Sequence, residues 1–111
     1  MGTNYYAVRN KPTVREPIHI GKSSYGWRFL FQYQDEKWNE PPVVWHNYKE
    51  VKDWLKKYTV DSDEFVIMNE YDEIISYDDF INMVKEKQKT KVHDEHADNV
   101  NGYRFTEGWF I

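Results

Sequence analysis

The sequence predicts an α+β protein in which two helices pack on one face of an antiparallel sheet. Short runs rich in aromatic and β-branched residues alternate in character, as strands with one buried face do. Two other stretches repeat apolar residues at helical spacing behind a residue that can cap a helix. The 111 residues, expected to form a single domain, include five Trp, nine Tyr and six Phe. The core is therefore expected to consist largely of aromatic rings.

The first half of the chain predicts three strands, at residues 3–9, 18–20 and 27–33. A polar loop with two prolines, residues 10–17, joins the first two strands. The third strand has the clearest alternation, and its expected buried face consists of Trp27, Phe29, Phe31 and Tyr33.

Two connections in this half also have a predicted structure. Residues 21–26, GKSSYG, predict a tight surface turn, because glycine permits positive φ and serine bonds nearby backbone. Residues 35–42 predict a polar loop that Pro41 and Pro42 close.

The first helix is expected to begin after Asn47, an N-cap residue with Glu50 three positions on, as in a capping box. Lysines supply its solvated side. Its apolar stripe consists of Val51, Trp54, Leu55 and Tyr58.

A short apolar strand at residues 65–68, a turn at residues 69–73 and a returning Ile74–Ile75 strand follow. Ser76 predicts the N-cap of a second helix that frays near Gln88. The apolar face of this helix consists of Phe80, Ile81 and Val84.

Residues 89–101 carry few apolar side chains, so they predict either a flexible charged segment or a charged extension of the second helix. Gly102 then opens a last strand, which completes the order β-β-β-α-β-β-α-β. The apolar end, Trp109, Phe110 and Ile111, is expected to dock on the sheet or on a partner.

The GKSS run at residues 21–24 resembles the end of a phosphate-binding loop, because backbone N–H groups and a lysine attract anions. A Walker A loop, however, needs a glycine five residues earlier, where Glu16 stands, and a helix afterwards. A surface hairpin turn is one interpretation. The other is a modest anion, nucleic-acid or partner contact made by His19, Lys22, Ser23, Ser24 and Arg28.

Acidic residues are concentrated between Asp61 and Asp79, where no Lys or Arg occurs. Such segregation predicts an acidic face that steers a basic partner or mimics DNA. A solvated edge with two helix caps is the other interpretation. The expected acidic face consists of Asp61, Asp63, Glu64, Glu70, Asp72 and Glu73.

No catalytic constellation is present in the sequence, so no enzyme and no cofactor is predicted. The chain has no cysteine, and it has neither GxSxG nor HExxH. His93 and His96 have the spacing of two metal ligands on a helix, with Asp98 near, but a third ligand would have to come from elsewhere. No metal site is therefore predicted.

Charge and targeting signals exclude further classes. Fifteen basic and 19 acidic residues give a net charge of −4, which argues against a non-specific duplex-DNA binder. The start MGTNYY lacks the features of a signal peptide, and no apolar run approaches a membrane span. A soluble protein of the cytoplasm is expected.

Three motifs carry a resemblance: MGTNYY at the start, HIGKSSYGW at residues 19–27 and GYRFTEGWFI at the end. With these motifs the chain resembles a group of small bacteriophage and prophage proteins. Many of that group place a CxxC pair before the HIG segment, suggesting a zinc knuckle. Residues 9–17 contain no cysteine, so that metal role is not carried over. The resemblance implies a phage accessory protein in the host bacterial cytoplasm and says little of its activity.

Two functions are expected from these observations. The first is a non-enzymatic phage protein that binds a host protein or nucleoprotein complex and inhibits a defence system, of the anti-CRISPR or anti-restriction type. The alternative is a nucleic-acid or nucleotide-binding module that uses the GKSS turn and the aromatic face of the sheet. In this alternative Tyr5, Tyr6, Trp27 and Phe29 stack on bases, while Lys22 and Arg28 meet phosphates.

Overall fold

The computed structural model of the protein describes residues 2–11, 16–24, 27–89 and 98–107. The helices are α1 (Tyr48–Leu55), which a π-helical turn (Lys56–Val60) extends, and α2 (Tyr77–Lys87). The strands are β1 (Gly2–Arg9), β2 (Ile18–Ser24), β3 (Leu30–Gln32), β4 (Gln34–Glu36), β5 (Val43–Trp45), β6 (Phe65–Asn69), β7 (Ile74–Ile75), β8 (Asp98–Val100) and β9 (Tyr103–Thr106).

Seven of these strands form one sheet, in the order β7-β6-β1-β2-β3-β9-β8. Neighbouring strands are antiparallel except β3 and β9, which are parallel. The strands β4 and β5 form a separate two-stranded sheet. The predicted α+β class, with a mostly antiparallel sheet and two helices, is confirmed.

Both helices cover the same face of the large sheet. Phe80 of α2 lies 5.6 Å from the ring of Tyr5 and 5.5 Å from that of Phe29. Trp54 of α1 lies 5.0 Å from the ring of Phe65 on β6. Within the described part of the chain, no helix combines the length and the apolar character needed to cross a membrane.

The core between helices and sheet is built from rings, as the composition predicts. Each buried ring removes a large apolar area from water, worth about 2–3 kcal/mol. The fully buried aromatic side chains are Phe29, Phe31, Trp45, Phe65, Phe80 and Phe105.

Both predicted helix caps are confirmed. The side chain of Asn47 accepts a hydrogen bond from the Glu50 amide at 2.8 Å, and Ser76 Oγ accepts one from the Asp79 amide at 3.1 Å. The Glu50 carboxylate accepts from the amide of His46 at 2.8 Å, one residue before the cap. Each helix therefore begins where its first free N–H groups find side-chain oxygens.

A β-bulge interrupts the pairing of β1 with β2. Tyr5 pairs with Gly21 and Tyr6 pairs with His19, so Ile20 is the extra residue. Because one residue is inserted, side chains three positions apart on β2 fall on the same face of the sheet.

The polar loop predicted at residues 35–42 is wrong for its first two residues, which belong to β4, and the remainder connects β4 to β5 in a hairpin. The chain leaves the large sheet after β3, so the predicted third strand is shorter than its alternation suggests. The indole nitrogen of Trp45 donates to the carbonyl of Gln32 at 2.6 Å, which ties the hairpin to the sheet. Trp27, predicted to be buried, lies before β3 and is 37% exposed.

The C-terminal part also differs from the prediction where the structure describes it. Residues 98–100 form β8, which pairs with β9, so they belong neither to a flexible segment nor to an extension of α2. Residues 90–97 and the predicted docking of residues 109–111 lie outside the described residues.

Candidate functional site

One face of the seven-stranded sheet is turned away from both helices, and it is called here the outer face. Cross-strand pairing places alternate strand residues on it. These side chains are half-exposed, except Ile74 and Asn99, which are exposed. The outer face consists of Asn4, Tyr6, Val8, His19, Lys22, Ser24, Leu30, Gln32, Val66, Met68, Ile74, Asn99, Arg104 and Thr106.

Tyr6 and His19 form a ring pair in the middle of the outer face. Their ring centroids lie 5.2 Å apart, with 36° between the planes. His19 Nε2 lies 3.0 Å from the side-chain oxygen of Asn4, which fixes the orientation of the imidazole. Burial lowers the pKa of His19, so the imidazole is neutral at neutral pH and the pair is an uncharged stacking surface.

A second aromatic group lies at the β3–β9 side of the outer face. The guanidinium carbon of Arg104 lies 5.1 Å from the ring centroid of Trp27. Arg104 Nη1 also donates to the Arg28 carbonyl at 2.6 Å. Two contacts therefore hold the guanidinium in place, with an exposed indole beside it.

Lys22 lies along the outer face above β1. A Cβ atom built on Gly2 would meet Lys22 Cε at 2.6 Å and Ser24 Oγ at 2.7 Å. The lack of a side chain at Gly2 therefore leaves room for both residues on this face.

The GKSS run is not a surface turn, and this corrects the prediction for residues 21–24. It forms the second half of β2, a central strand whose backbone pairs with β1 and β3. Gly21 is required because a Cβ there would meet the Leu30 carbonyl oxygen at 2.3 Å and Phe29 Cε2 at 2.4 Å. In a phosphate-binding loop, free N–H groups at the N-terminus of a helix hold the phosphate. The backbone of this run is paired with neighbouring strands and leads into no helix, so it does not form such a site.

The five predicted contact residues are only partly brought together. The bulge places His19 and Lys22 on the outer face, and Ser24 lies beside Lys22. Ser23 pairs with Thr3 and faces the helix side of the sheet. Arg28 lies away from them, where its Nη1 donates to the Gly102 carbonyl at 3.4 Å.

Tyr5 and Phe29, predicted in the alternative hypothesis to stack on bases, face the helices instead. The ring of Tyr5 lies 5.8 Å from that of Phe29, and Phe29 is fully buried. Tyr6 and Trp27 are thus the two members of the predicted stacking set that stay accessible. Arg104 was not among the predicted contacts, although its alternation with Tyr103 and Phe105 places it opposite the core.

The six residues of the predicted acidic face lie in two groups, because β6 separates them by about 17 Å of strand. In the turn after β6, Glu70 Oε1 accepts from the Asn4 amide at 2.7 Å, and Glu73 Oε1 accepts from Asn69 Nδ2 at 2.8 Å. These two carboxylates hold the β6–β7 turn in place. Asp61, Asp63 and Glu64 precede β6, and Glu70, Asp72 and Glu73 follow it.

A cavity of about 510 Å³ opens at the β6–β7 edge of the sheet, beside the π-helical turn, and the outer-face residues Val66 and Ile74 contribute to its lining. Its walls are mainly apolar, with Lys56 and Asp78 as opposite charges in the lining. A cavity of this size accommodates small molecules in general, but its lining selects no particular ligand chemistry. The apolar lining includes Val60, Phe65, Ile67, Ile74 and Ile75.

In the described ranges, no group of three or more His, Asp or Glu side chains is arranged to hold a metal ion. His93 and His96, the two histidines with ligand spacing, lie outside those ranges.

Comparison of the chain with protein-family models, with curated proteins and with solved structures found no match. The bacteriophage resemblance therefore stays a prediction from the sequence motifs. Function is inferred from those motifs and from the geometry of the outer face.

Proposed function

We propose that the protein is a non-enzymatic phage accessory protein that binds a macromolecule of the host through the outer face of its sheet. The observation that carries the proposal is an asymmetry between the two faces of the sheet. Both helices and the core rings cover one face, whereas the side chains of the other are half-exposed.

The outer face has the composition of a contact surface. An antiparallel sheet that only faces water usually carries polar side chains on that side. Here Ile74, Met68 and Tyr6 are successive cross-strand neighbours, and Val66 lies opposite Val8. A contiguous apolar patch rimmed by polar residues is typical of an interaction site.

Rigidity adds to the suitability of this surface. The central strands β1 and β2 are each paired on both sides, and the core anchors their inner face. Side chains on such a sheet are already ordered before a partner arrives. Binding therefore loses little conformational entropy, and a flat ring such as Tyr6 can act as an anchor.

Antagonism of a host defence complex is the specific form of the proposal. Occupying the surface of a CRISPR nuclease or a restriction enzyme requires a rigid face and no chemistry. The bacteriophage resemblance of the sequence motifs supports this form, in which the protein acts in the host bacterial cytoplasm.

Affinity purification from host lysate tests the proposal, with two variants that introduce the same charge on opposite sides of the molecule. Met68→Glu places an anion in the apolar part of the outer face, and Asn82→Glu places one on the exposed side of α2. We expect the wild-type chain and Asn82→Glu to retain one host partner at stoichiometric level and Met68→Glu to lose it. Retention by all three proteins, or the absence of any stoichiometric partner, would contradict the proposal.

A further inference from the structure

We infer that the outer face binds single-stranded nucleic acid, with Tyr6 and Trp27 stacking on bases and Lys22 and Arg104 contacting phosphates. The inference rests on the proposed function, since it uses the same face and names the nucleic-acid strand of a host nucleoprotein complex as the component that this face contacts. Three features of the described residues carry it: the distribution of charge, the position of the rings and the shape of the surface.

The charge of the outer face is opposite to that of the whole protein. The chain has a net charge of −4, yet no Asp or Glu among the described residues of the large sheet points to this face. Lys22 and Arg104 do point to it, and Glu70 borders it at Asn4. A cationic surface attracts a polyanion, whereas the acidic remainder of the protein repels it. A polyanion is therefore directed to the outer face.

The two cations lie in one row across the strands. Lys22 pairs with Leu30, and Leu30 pairs with Arg104, so their backbones are two strand spacings, about 10 Å, apart. A chain of phosphates that crosses the sheet at right angles to the strands would meet both. The Leu30 side chain between them offers an apolar floor.

Rings flank this row on both sides. Tyr6, backed by His19, lies on β1, two residue pairs along from the Asn4–Lys22 pair, and Trp27 lies beside Arg104. Aromatic faces bind bases without regard to sequence, because every base has a π-face. A planar guanidinium held against an indole also offers a surface on which a base can stack.

The shape of the surface selects single strands. The bases of a duplex expose only their edges in the grooves, so their faces cannot lie on a ring of the sheet. Unstacked bases can lie flat on Tyr6 and Trp27, so a single strand uses the rings and a duplex does not.

Fluorescence anisotropy of short labelled DNA and RNA strands of mixed sequence, at low salt and neutral pH, tests the inference. Lys22→Glu is compared with Lys85→Glu, an exposed lysine on the opposite side of the molecule. We expect Lys22→Glu to weaken binding by about tenfold or more and Lys85→Glu to change it by less than about twofold. With only two phosphate contacts, the slope of log K against log salt is expected to be near −1.4, about −0.7 for each contact.

Removal of a ring is the second arm of the test. Tyr6→Ala is expected to weaken binding by on the order of tenfold, and Tyr6→Phe to retain it, since stacking needs the ring and not the hydroxyl. Circular dichroism melting of each variant establishes that it is folded. Equal binding by wild type and Lys22→Glu, equal affinity for duplex, or no binding of single strands overturns the inference.

The failure of the inference and that of the proposed function are distinguishable. If a host protein is captured from nuclease-treated lysate and lost in Met68→Glu, while single strands do not bind, the outer face is still the contact surface and the inference of a nucleic-acid partner is contradicted. If the outer-face variants change neither the capture of a host protein nor the binding of single strands, both the proposed function and the inference are contradicted.

Discussion

Tyr48 shows how a single polar atom is placed in a core of rings. Its ring stacks on that of Tyr103 at 4.0 Å and 17°, and Lys52 Nζ lies 4.7 Å from its centroid. The hydroxyl is buried and has no hydrogen-bond partner among the described residues. Burial, followed by the neighbouring Tyr103 and Tyr77, raises the pKa of Tyr48 to about 12.

Tyr48→Phe is therefore expected to stabilise the fold. Removing a buried hydroxyl without a partner should raise the free energy of unfolding by about 1 kcal/mol at neutral pH. The gain should grow with pH, because a folded pKa near 12 above the ordinary value of 10.0 makes stability fall as pH rises through that interval. Urea unfolding at neutral pH and at about pH 11 measures both effects.

Tyr71→Phe is the matched control, since Tyr71 is 66% exposed and its hydroxyl is solvated. Part of the fall in the free energy of unfolding with rising pH should persist in Tyr48→Phe, because burial and Asp98 raise the pKa of Tyr33 to about 12 as well. A Tyr48→Phe protein less stable than wild type would show that the hydroxyl makes a bond in solution.

At Gly21 the residue types alone predict the wrong backbone structure. A glycine followed by lysine and two serines predicts a turn, because these residue types favour irregular backbone. The structural reason for this glycine is instead the close approach of Phe29 and Leu30 to its backbone. Neighbours brought together by the fold decide the role, and local sequence does not contain them.

At the scale of an element, the β8–β9 hairpin has a turn that the sequence encodes directly. Val100 pairs with Tyr103, which leaves Asn101 and Gly102 as a two-residue loop. Both have positive φ, 53° and 89°. Asn-Gly is the strongest short-range hairpin signal, but the charged segment before it favoured a prediction of disorder.

Gly102→Ala is expected to destabilise the protein by about 1 kcal/mol. The cost should come from the backbone alone, because a Cβ at this position meets nothing within 4 Å. Urea unfolding measures it, with Asn101→Gly as the comparison, since glycine also tolerates positive φ there. Equal stability of Gly102→Ala and wild type would mean that the turn relaxes without cost.

Helices were easier to predict than strand pairs, for a physical reason. Asn47 and Ser76 cap helices within three residues of themselves, so the signal is local. The pairing partners of β4 and β8 are set by tertiary contacts, which the local sequence does not show. The prolines just before β5 favoured the prediction of a loop there, so the hairpin was missed. The bulge at Ile20 also shifts the alternation of side chains between the two faces of the sheet. That His19 and Lys22 share a face could therefore be known only from the strand register, and not from the sequence.

At the scale of the whole molecule, β9 links distant parts of the chain. It pairs with β3 in parallel, which places Phe105 5.0 Å from the ring of Phe31 and 5.1 Å from that of Tyr33. The sequence predicts this strand but not its position, because a parallel neighbour more than seventy residues away leaves no local pattern.

Phe105→Ala should therefore affect the entire fold. Truncating a fully buried phenylalanine costs about 3–5 kcal/mol, a large part of the roughly 5–15 kcal/mol of a typical domain. Thr106→Ala, the next residue on the outer face, is expected to cost less than about 1 kcal/mol. Both are measured by urea unfolding, and a loss below about 1 kcal/mol in Phe105→Ala would contradict this role for β9.

The lengths of the strands across the large sheet have one further consequence. The central strands β1 and β2 have eight and seven residues, whereas the outermost strands of the described sheet, β7 and β8, have two and three. An edge strand is where foreign strands add and fibrils begin, and a short edge gives an incoming strand few backbone bonds. The described sheet thus has blunt margins, so strand addition at its edges is disfavoured, and the proposed partner is expected to contact the broad outer face instead.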